Sequence, residues 1–408
     1  MRFRLKSVAY GSALAFSIAS SVEACAQTGA EPSPYQLNIL YIGEGWDNAA
    51  GGIKTGSVYQ QMTDVTLSVD AARALGWPGG SFTLEGFWAN KKSLNDQYQG
   101  ALQPTSGVDT ETGRNLYRLY QVYYDQNFSG SGTDIRFGIQ DLSQTFSNTK
   151  PELLFLNRNF QWNSAIDQTG TLTANGDIGP GNYPFTPLAL FASQDLGEGW
   201  RVMGVVADGV ADSPTHPWVN TISFSADTGA TIIGEVDYQP SRNTKFMAGL
   251  WDLTAKVPTF APVTPQQFQR NLEGGYIGGA TRLYSDEGRR GLDAFATLGF
   301  SSDKATSADQ SYNAGLTYTG PFDARPDDKA GIAVALNHDP AQFAASLTAT
   351  GLHPTGTETT FEGTYRAKLF DGWLTLQPTI DYVVNPGYTF KNDLVFGLHF
   401  ELGHLFDL

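Results

Sequence analysis

The chain has 408 residues, of which 16% are charged, and a formal net charge of -15. That acidic balance argues against nucleic acid as a partner, because phosphate recognition rests on clustered Lys and Arg. After the N-terminus no run of about eighteen apolar residues occurs, which excludes a helical membrane protein and leaves strands as the only way to cross a bilayer.

In chain order, Arg2, Arg4 and Lys6 form a positive n-region and Val8 to Ala19 a small-residue apolar stretch, and Ala24-Cys25-Ala26 fits a signal cleavage site. This order predicts a secretory signal over 1–26, cleaved before Gln27, and one domain over 27–408. A short buried N-terminal helix and acylation of Cys25 are the alternatives, the second disfavoured by Glu23 in its approach. Cys25 is the sole cysteine, so a chain beginning at Gln27 has neither thiol nor disulfide.

From there the period of two recurs. Val65, Leu67 and Val69 alternate with Thr66, Ser68 and Asp70, and Phe82 and Leu84 with Thr83 and Glu85. Ile135, Phe137 and Ile139 alternate with Arg136, Gly138 and Gln140. Leu292, Ala294, Ala296, Leu298 and Phe300 oppose Asp293, Thr297 and Gly299, with Phe295 out of place. Further such stretches run through Tyr312–Tyr318, Phe361–Leu369, Leu374–Tyr382 and Leu394–Leu402. These are strands with one apolar face. Turn residues separate them at Trp77-Pro78-Gly79-Gly80, at 128–132, at Asp286-Glu287-Gly288 and at Phe370-Asp371-Gly372. Polar or Pro-rich stretches at 90–113, 163–186, 207–220 and 255–270 are candidate long loops, and Ala71–Leu75 a single helical turn. Pro378 sits awkwardly: either the strand starts after it or a bulge accommodates it. With transmembrane strands of about 9–11 residues, the chain accommodates on the order of sixteen strands.

A soluble sandwich and an outer-membrane barrel share this alternation, and differ in what the polar parity faces. The secretory signal, the lack of later cysteine and the absence of any linker favour a transmembrane antiparallel β-barrel with long extracellular loops. So do aromatics closing the apolar parity, such as Tyr318, Tyr382, Phe390, Trp251 and Tyr284, as interfacial girdles do.

The segments "YIGEGWDNAAGG" at 41–52, "LGWPGGSFTLEG" at 75–86, "LYRLYQVYYDQNF" at 116–128, "DIRFGIQDL" at 134–142, "PLALFASQDLGEGW" at 187–200, "KFMAGLWD" at 245–252 and "LQPTIDYVVNPG" at 376–387 together resemble the carbohydrate-selective outer-membrane porins. The resemblance implies a 16-stranded barrel in the outer membrane of a Gram-negative bacterium, in contact with its lipids, that admits mono- or small oligosaccharides by facilitated diffusion. It implies no cofactor and no chemistry. The C-terminus departs from the usual barrel ending, closing on Leu408 with Phe406 two positions earlier. Sugar preference, general diffusion against selectivity, and monomer against homotrimer stay open.

A sugar path needs polar groups for hydroxyls and aromatic faces for the ring, bound weakly enough to release. Glu85, Arg118, Arg136, Glu235, Asp237, Glu362, Arg366 and His399 fall on the polar parity and are the candidates. The plainer reading makes them rungs of lumen ion-pair ladders, since barrel interiors are polar throughout. Trp46, Trp77 and Trp88 are stacking candidates, against interfacial anchoring. If loop 90–113 folds inward, Lys91, Lys92 and Tyr98 approach the path. "HFELGH" at 399–404 is not the zinc-protease pattern, because a strand sets His399 and His404 on opposite faces. A secreted carbohydrate-binding or hydrolysing β protein, and a barrel hydrolase without a recognisable motif, are the competing functions.

Overall fold

The computed structural model describes residues 33–173, 176–211, 218, 220, 222–223, 225–286 and 290–408, so the expected signal and Cys25 lie outside the described residues. Sixteen antiparallel strands close on themselves. They are β1 (Tyr35–Gly52), β2 (Gly56–Asp70), β3 (Gly80–Ala89), β4 (Leu116–Phe128), β5 (Thr133–Ile139), β6 (Leu188–Gly197), β7 (Trp200–Asp208) and β8 (Ala230–Ser241). The second half comprises β9 (Thr244–Leu253), β10 (Leu272–Ser285), β11 (Gly291–Ser301), β12 (Gln310–Thr319), β13 (Lys329–His338), β14 (Thr357–Leu369), β15 (Leu374–Val384) and β16 (Lys391–Asp407). Each pairs with its neighbours in sequence, and β16 returns to β1 with Leu37 opposite Phe406 and Trp46 opposite Gly397. Closure removes every unpaired barrel edge, the condition for a sheet in hydrocarbon.

The pleat sorts the side chains as the alternation predicts. In β15, Thr375, Gln377, Thr379 and Asp381 are buried inside, while Ile380 and Tyr382 are exposed outside. In β11, Leu298 and Phe300 face out and Thr297 faces in. Phe295, which breaks the sequence pattern, is a lumen residue: its ring lies 5.7 Å from that of Phe155 and 6.5 Å from that of Phe160. Pro378 needs neither expected accommodation. β15 begins before it at Leu374, and Thr364 opposite Thr379 and Ala367 opposite Leu376 keep one register. The missing donor is absorbed where the β14 ladder has no pair.

At one end the connections are short, as at 129–132, 198–199 and 242–243; α1 (Ala71–Leu75) sits there, capped by Asp70, which accepts the Arg73 N–H at 3.1 Å. At the other end run 90–115, 140–187, 209–229, 254–271 and 339–356. The polar-stretch reading located parts of the first four and missed 140–162 and 339–356. The last carries α3 (Ala341–Ala349), none of whose residues is buried, so it leaves no apolar stripe in the sequence. The outer face ends in aromatics at the short-turn end, where Trp77, Phe82 and Tyr124 form one ring cluster. Tyr284 and Tyr382 are exposed outside as expected, but Trp251 is not in a girdle. It is buried on the lumen side, over Gly274, whose missing side chain leaves room for the indole.

Candidate functional site

Loop 140–187 runs through the barrel rather than over it. Its Ser147 N–H donates to Glu235 Oε2 at 2.7 Å on β8, and Gln377 Nε2 of β15 donates to Leu154 O at 2.7 Å. On β14, Glu362 accepts two successive N–H groups, from Leu156 at 2.9 Å and Asn157 at 3.0 Å, one on each carboxylate oxygen. Asn313 of β12 donates to Asn159 O at 2.6 Å. Leu154, Phe155 and Phe160 pack on Phe295, Ala333 and Ala335, which gives the wall contact an apolar part. The short helix α2 (Ser164–Asp167) is capped by Asn163, which accepts the Ala165 N–H at 3.1 Å and fits against Gly299.

Loop 90–115 folds in beside it, as the sequence allowed. Pro104 O accepts the Arg158 N–H at 3.0 Å, Leu102 N–H donates to Glu358 Oε2 at 2.8 Å, and the Ser106 hydroxyl donates to Glu44. Val108 packs with Leu40, Ile42, Met62 and Phe87 on the wall. Lys91 and Lys92, however, are exposed at the root of the loop.

The charged candidates separate into two groups. Arg136, Asp237 and Arg366 are rungs: Arg136 pairs with Asp125 at 2.9 Å, Asp237 with Lys245 at 2.9 Å, and Arg366 with Glu401 at 2.8 Å. Arg201 with Asp134 and Arg282 with Asp293, not singled out from the sequence, are further rungs at 2.9 and 2.8 Å. Glu235 and Glu362 instead hold loop 140–187, and Glu235 also accepts from the Tyr276 hydroxyl at 2.6 Å. Glu85 accepts from Gln121 at 2.6 Å, beside the β-bulge that shifts the β3–β4 register between Glu85 and Gly86. Arg118 lies 4.9 Å from the centre of the Phe185 ring and donates to Ala211 O at 3.3 Å, which ties the wall to two loops.

The tryptophans need correction as stacking platforms. Trp77 is 51% exposed in a turn, and Trp88 is on the outer parity beside Tyr117, 6.2 Å between rings, so both serve the membrane edge. Trp46 does face inward, but it is 2% exposed, donates to Glu44 Oε2 at 2.8 Å and is covered by Leu94 and Leu156. Its faces are closed by protein rather than open to a ring.

Several residues that matter carry no sequence signal. Glu44 and Glu358 anchor loop 90–115, and Glu44 also contacts His399 Nδ1 at 2.7 Å, while His399 Nε2 lies 3.1 Å from Glu401. This chain ties β1 to β16 at the closing seam. His404 is on the outer face against Trp373, as the strand reading of "HFELGH" requires. In loop 140–187, Arg158 donates to Tyr183 O at 3.0 Å and lies 3.9 Å from Asp167. Burial works against its charge, but the Asp167 and Glu111 carboxylates outweigh it and hold the guanidinium above its ordinary value.

The lumen therefore holds two folded-in loops, a wall of amides, hydroxyls and carboxylates, and paired charges. Such a surface can exchange hydrogen bonds with a hydroxylated solute that passes along it. Residues 54–403 match the family described as "Carbohydrate-selective porin, OprB family". Porin B of Pseudomonas aeruginosa is 26% identical over 392 residues, covering 86% of this chain and 83% of that protein. The high-pH structure of Pseudomonas putida OprB aligns with a TM-score of 0.79 at 20% identity, over 98% of this chain and 100% of that one. The low-pH structure gives 0.57 at 18% identity, over 97% and 100%. The structural matches speak for the fold, and the family match for the rest: the chain belongs to the OprB family of carbohydrate-selective porins and is an outer-membrane carbohydrate channel of a Gram-negative bacterium, not an enzyme.

Proposed function

We propose that this channel passes monosaccharides and small oligosaccharides into the periplasm through the aperture that loops 90–115 and 140–187 leave inside the barrel. The observation that supports it most is the double hold of Glu362 on Leu156 and Asn157, which fixes loop 140–187 across the lumen. An aperture set by a loop pinned through its backbone keeps one size, and size together with hydroxyl-matching groups is what separates a sugar path from an open pore. Glu235 extends the hold through Ser147, and Glu85 and Arg118 line the wall near it. The rungs of Arg136, Asp237 and Arg366 offer donors and acceptors beyond the aperture.

Planar-bilayer conductance with a graded series of sugars tests this reading. Glucose and short maltodextrins should block the current in proportion to concentration, and Glu362→Ala should raise conductance and weaken the block. Glu85→Gln and Arg118→Ala should alter the block more than they alter barrel melting. Large ionic current with no sugar block would make the chain a general diffusion porin; unchanged block in both wall variants would reduce Glu85 and Arg118 to scaffolding.

A further inference from the structure

The outer wall of β2, β3 and β4 is not a smooth apolar band. Gly86 stands on the outward parity between Leu84 and Trp88, and supplies no side chain there. With the β4 bulge beside it, this opens a hollow of about 510 Å³ bordered by Val65, Trp88, Tyr117, Leu119 and Trp218. A second hollow of about 410 Å³ follows along the same strands toward the short-turn end, between Leu67, Phe82, Leu84, Val122 and Phe137. Together they form an apolar track on the lipid side of the barrel.

Directly above Trp88 and Tyr117, at the long-loop rim, stand Lys91, Lys92 and Arg114, all exposed. Lys91 is tied to the strand ends by its N–H, which donates to Asn115 Oδ1 at 2.9 Å. Among the described residues none of the three cations is in an ion pair. The chain as a whole is acidic, and on the far wall the rim carries acidic residues instead, with Asp252 opposite Glu273 on β9 and β10. The long-loop end of such barrels is extracellular, and the aromatic belt marks the headgroup level. Three uncompensated cations at that level, above an apolar track, complement an anionic headgroup carrying acyl chains.

We propose that this wall is a binding site for the phosphorylated, multiply acylated glycolipid of the outer leaflet, the lipid A part of lipopolysaccharide. One acyl chain lies in the hollow over Gly86, and a phosphate meets Lys91, Lys92 and Arg114. A second copy of the barrel is the rival occupant, but an apposed acidic chain offers the cations no clustered phosphate. The inference rests on the outer-membrane location and is independent of which sugar the channel passes.

Native mass spectrometry of the full chain in detergent, titrated with bisphosphorylated lipid A and with the same lipid dephosphorylated, provides the test. The wild type should retain the phosphorylated lipid. The triple variant Lys91→Gln, Lys92→Gln, Arg114→Gln should bind it on the order of a hundredfold more weakly, about fivefold per charge removed near the membrane surface. Gly86→Leu, which fills the hollow, should weaken both lipids, with heat-modifiable gel mobility confirming that each variant is folded. Equal binding by the triple variant, or no preference for the phosphorylated lipid, overturns the proposal. Dissociation of a barrel oligomer by Gly86→Leu also overturns it, since the hollow would then belong to a second copy.

Discussion

Gly299 decides where a loop sits by lacking a side chain. A Cβ at that position would lie 1.9 Å from Asn163 Oδ1, the atom that caps α2. Asn163 is short and both its neighbours are in the loop, so the clash cannot be relieved by swinging a flexible end aside. Gly299→Ala should therefore displace α2, at a cost of about 1 kcal/mol for the lost cap, while the Cα pairing of β11 persists. The expected result is higher single-channel conductance and weaker sugar block with an almost unchanged melting temperature; conductance equal to wild type would show that Asn163 does not set the aperture. At this scale the sequence was legible only in part. Inward parity located Glu85, Glu235 and Glu362, because an alternating strand leaves polar residues one side to face. It could not tell a loop-holding carboxylate such as Glu362 from a rung such as Asp237, since that depends on which distant backbone arrives. Nor could it place Trp46 inside and Trp88 outside as closed and interfacial rings: both lie in glycine-rich stretches with no marker of coverage.

Among the elements, the strands were readable and loop 140–187 was not. A strand writes its environment every second residue, whereas a loop inside a lumen is polar and irregular like one at the surface, and its apolar Leu154, Phe155 and Phe160 have no period. The one hint was on the wall: Phe295, apolar on a polar parity, marks the place where that loop packs. The loop also has a pH dependence of its own. Burial raises Glu152 to about 8, against the Thr149 N–H and nearby Lys245, which lower it, and with Glu235 adding to the rise. In a displaced, hydrated loop the same carboxyl would return towards its ordinary value of 4.5. The seated loop thus holds the proton more tightly, so seating is strongest below the ordinary value and loses free energy as pH rises towards about 8. Protease cleavage within 140–187 of the detergent-solubilised barrel should accelerate across that window. Glu152→Gln should flatten the profile, and a profile as steep in that variant as in the wild type would assign the effect to other groups.

For the whole molecule, closure explains why charge can be abundant inside a protein bathed in lipid. Every inward position shares one lumen, so opposite charges from strands one or two apart meet as rungs: Arg136 with Asp125, Arg201 with Asp134, Lys245 with Asp237, Arg282 with Asp293 and Arg366 with Glu401. Pairing lets an uncharged solute meet donors and acceptors without a strong field of one sign along the wall. Removing one member should disturb that balance more than it disturbs the barrel. Arg282 makes two bonds to Asp293, through Nε and a terminal nitrogen, each 2.8 Å, with both side chains partly exposed. In such a setting the pair contributes under about 1 kcal/mol, against ladders that hold all sixteen strands. Asp293→Asn should therefore leave the melting temperature within a few degrees of the wild type, yet free a guanidinium towards the lumen. The reversal potential in a salt gradient should move in the anion-selective direction, and the shift should shrink at high ionic strength as the charge is screened. Glucose block should change little, because the sugar is neutral and the aperture set by Glu362 and Gly299 is untouched. A shift towards cations, or lost block without a change in selectivity, would mean that the rung shapes the path rather than balancing its charge.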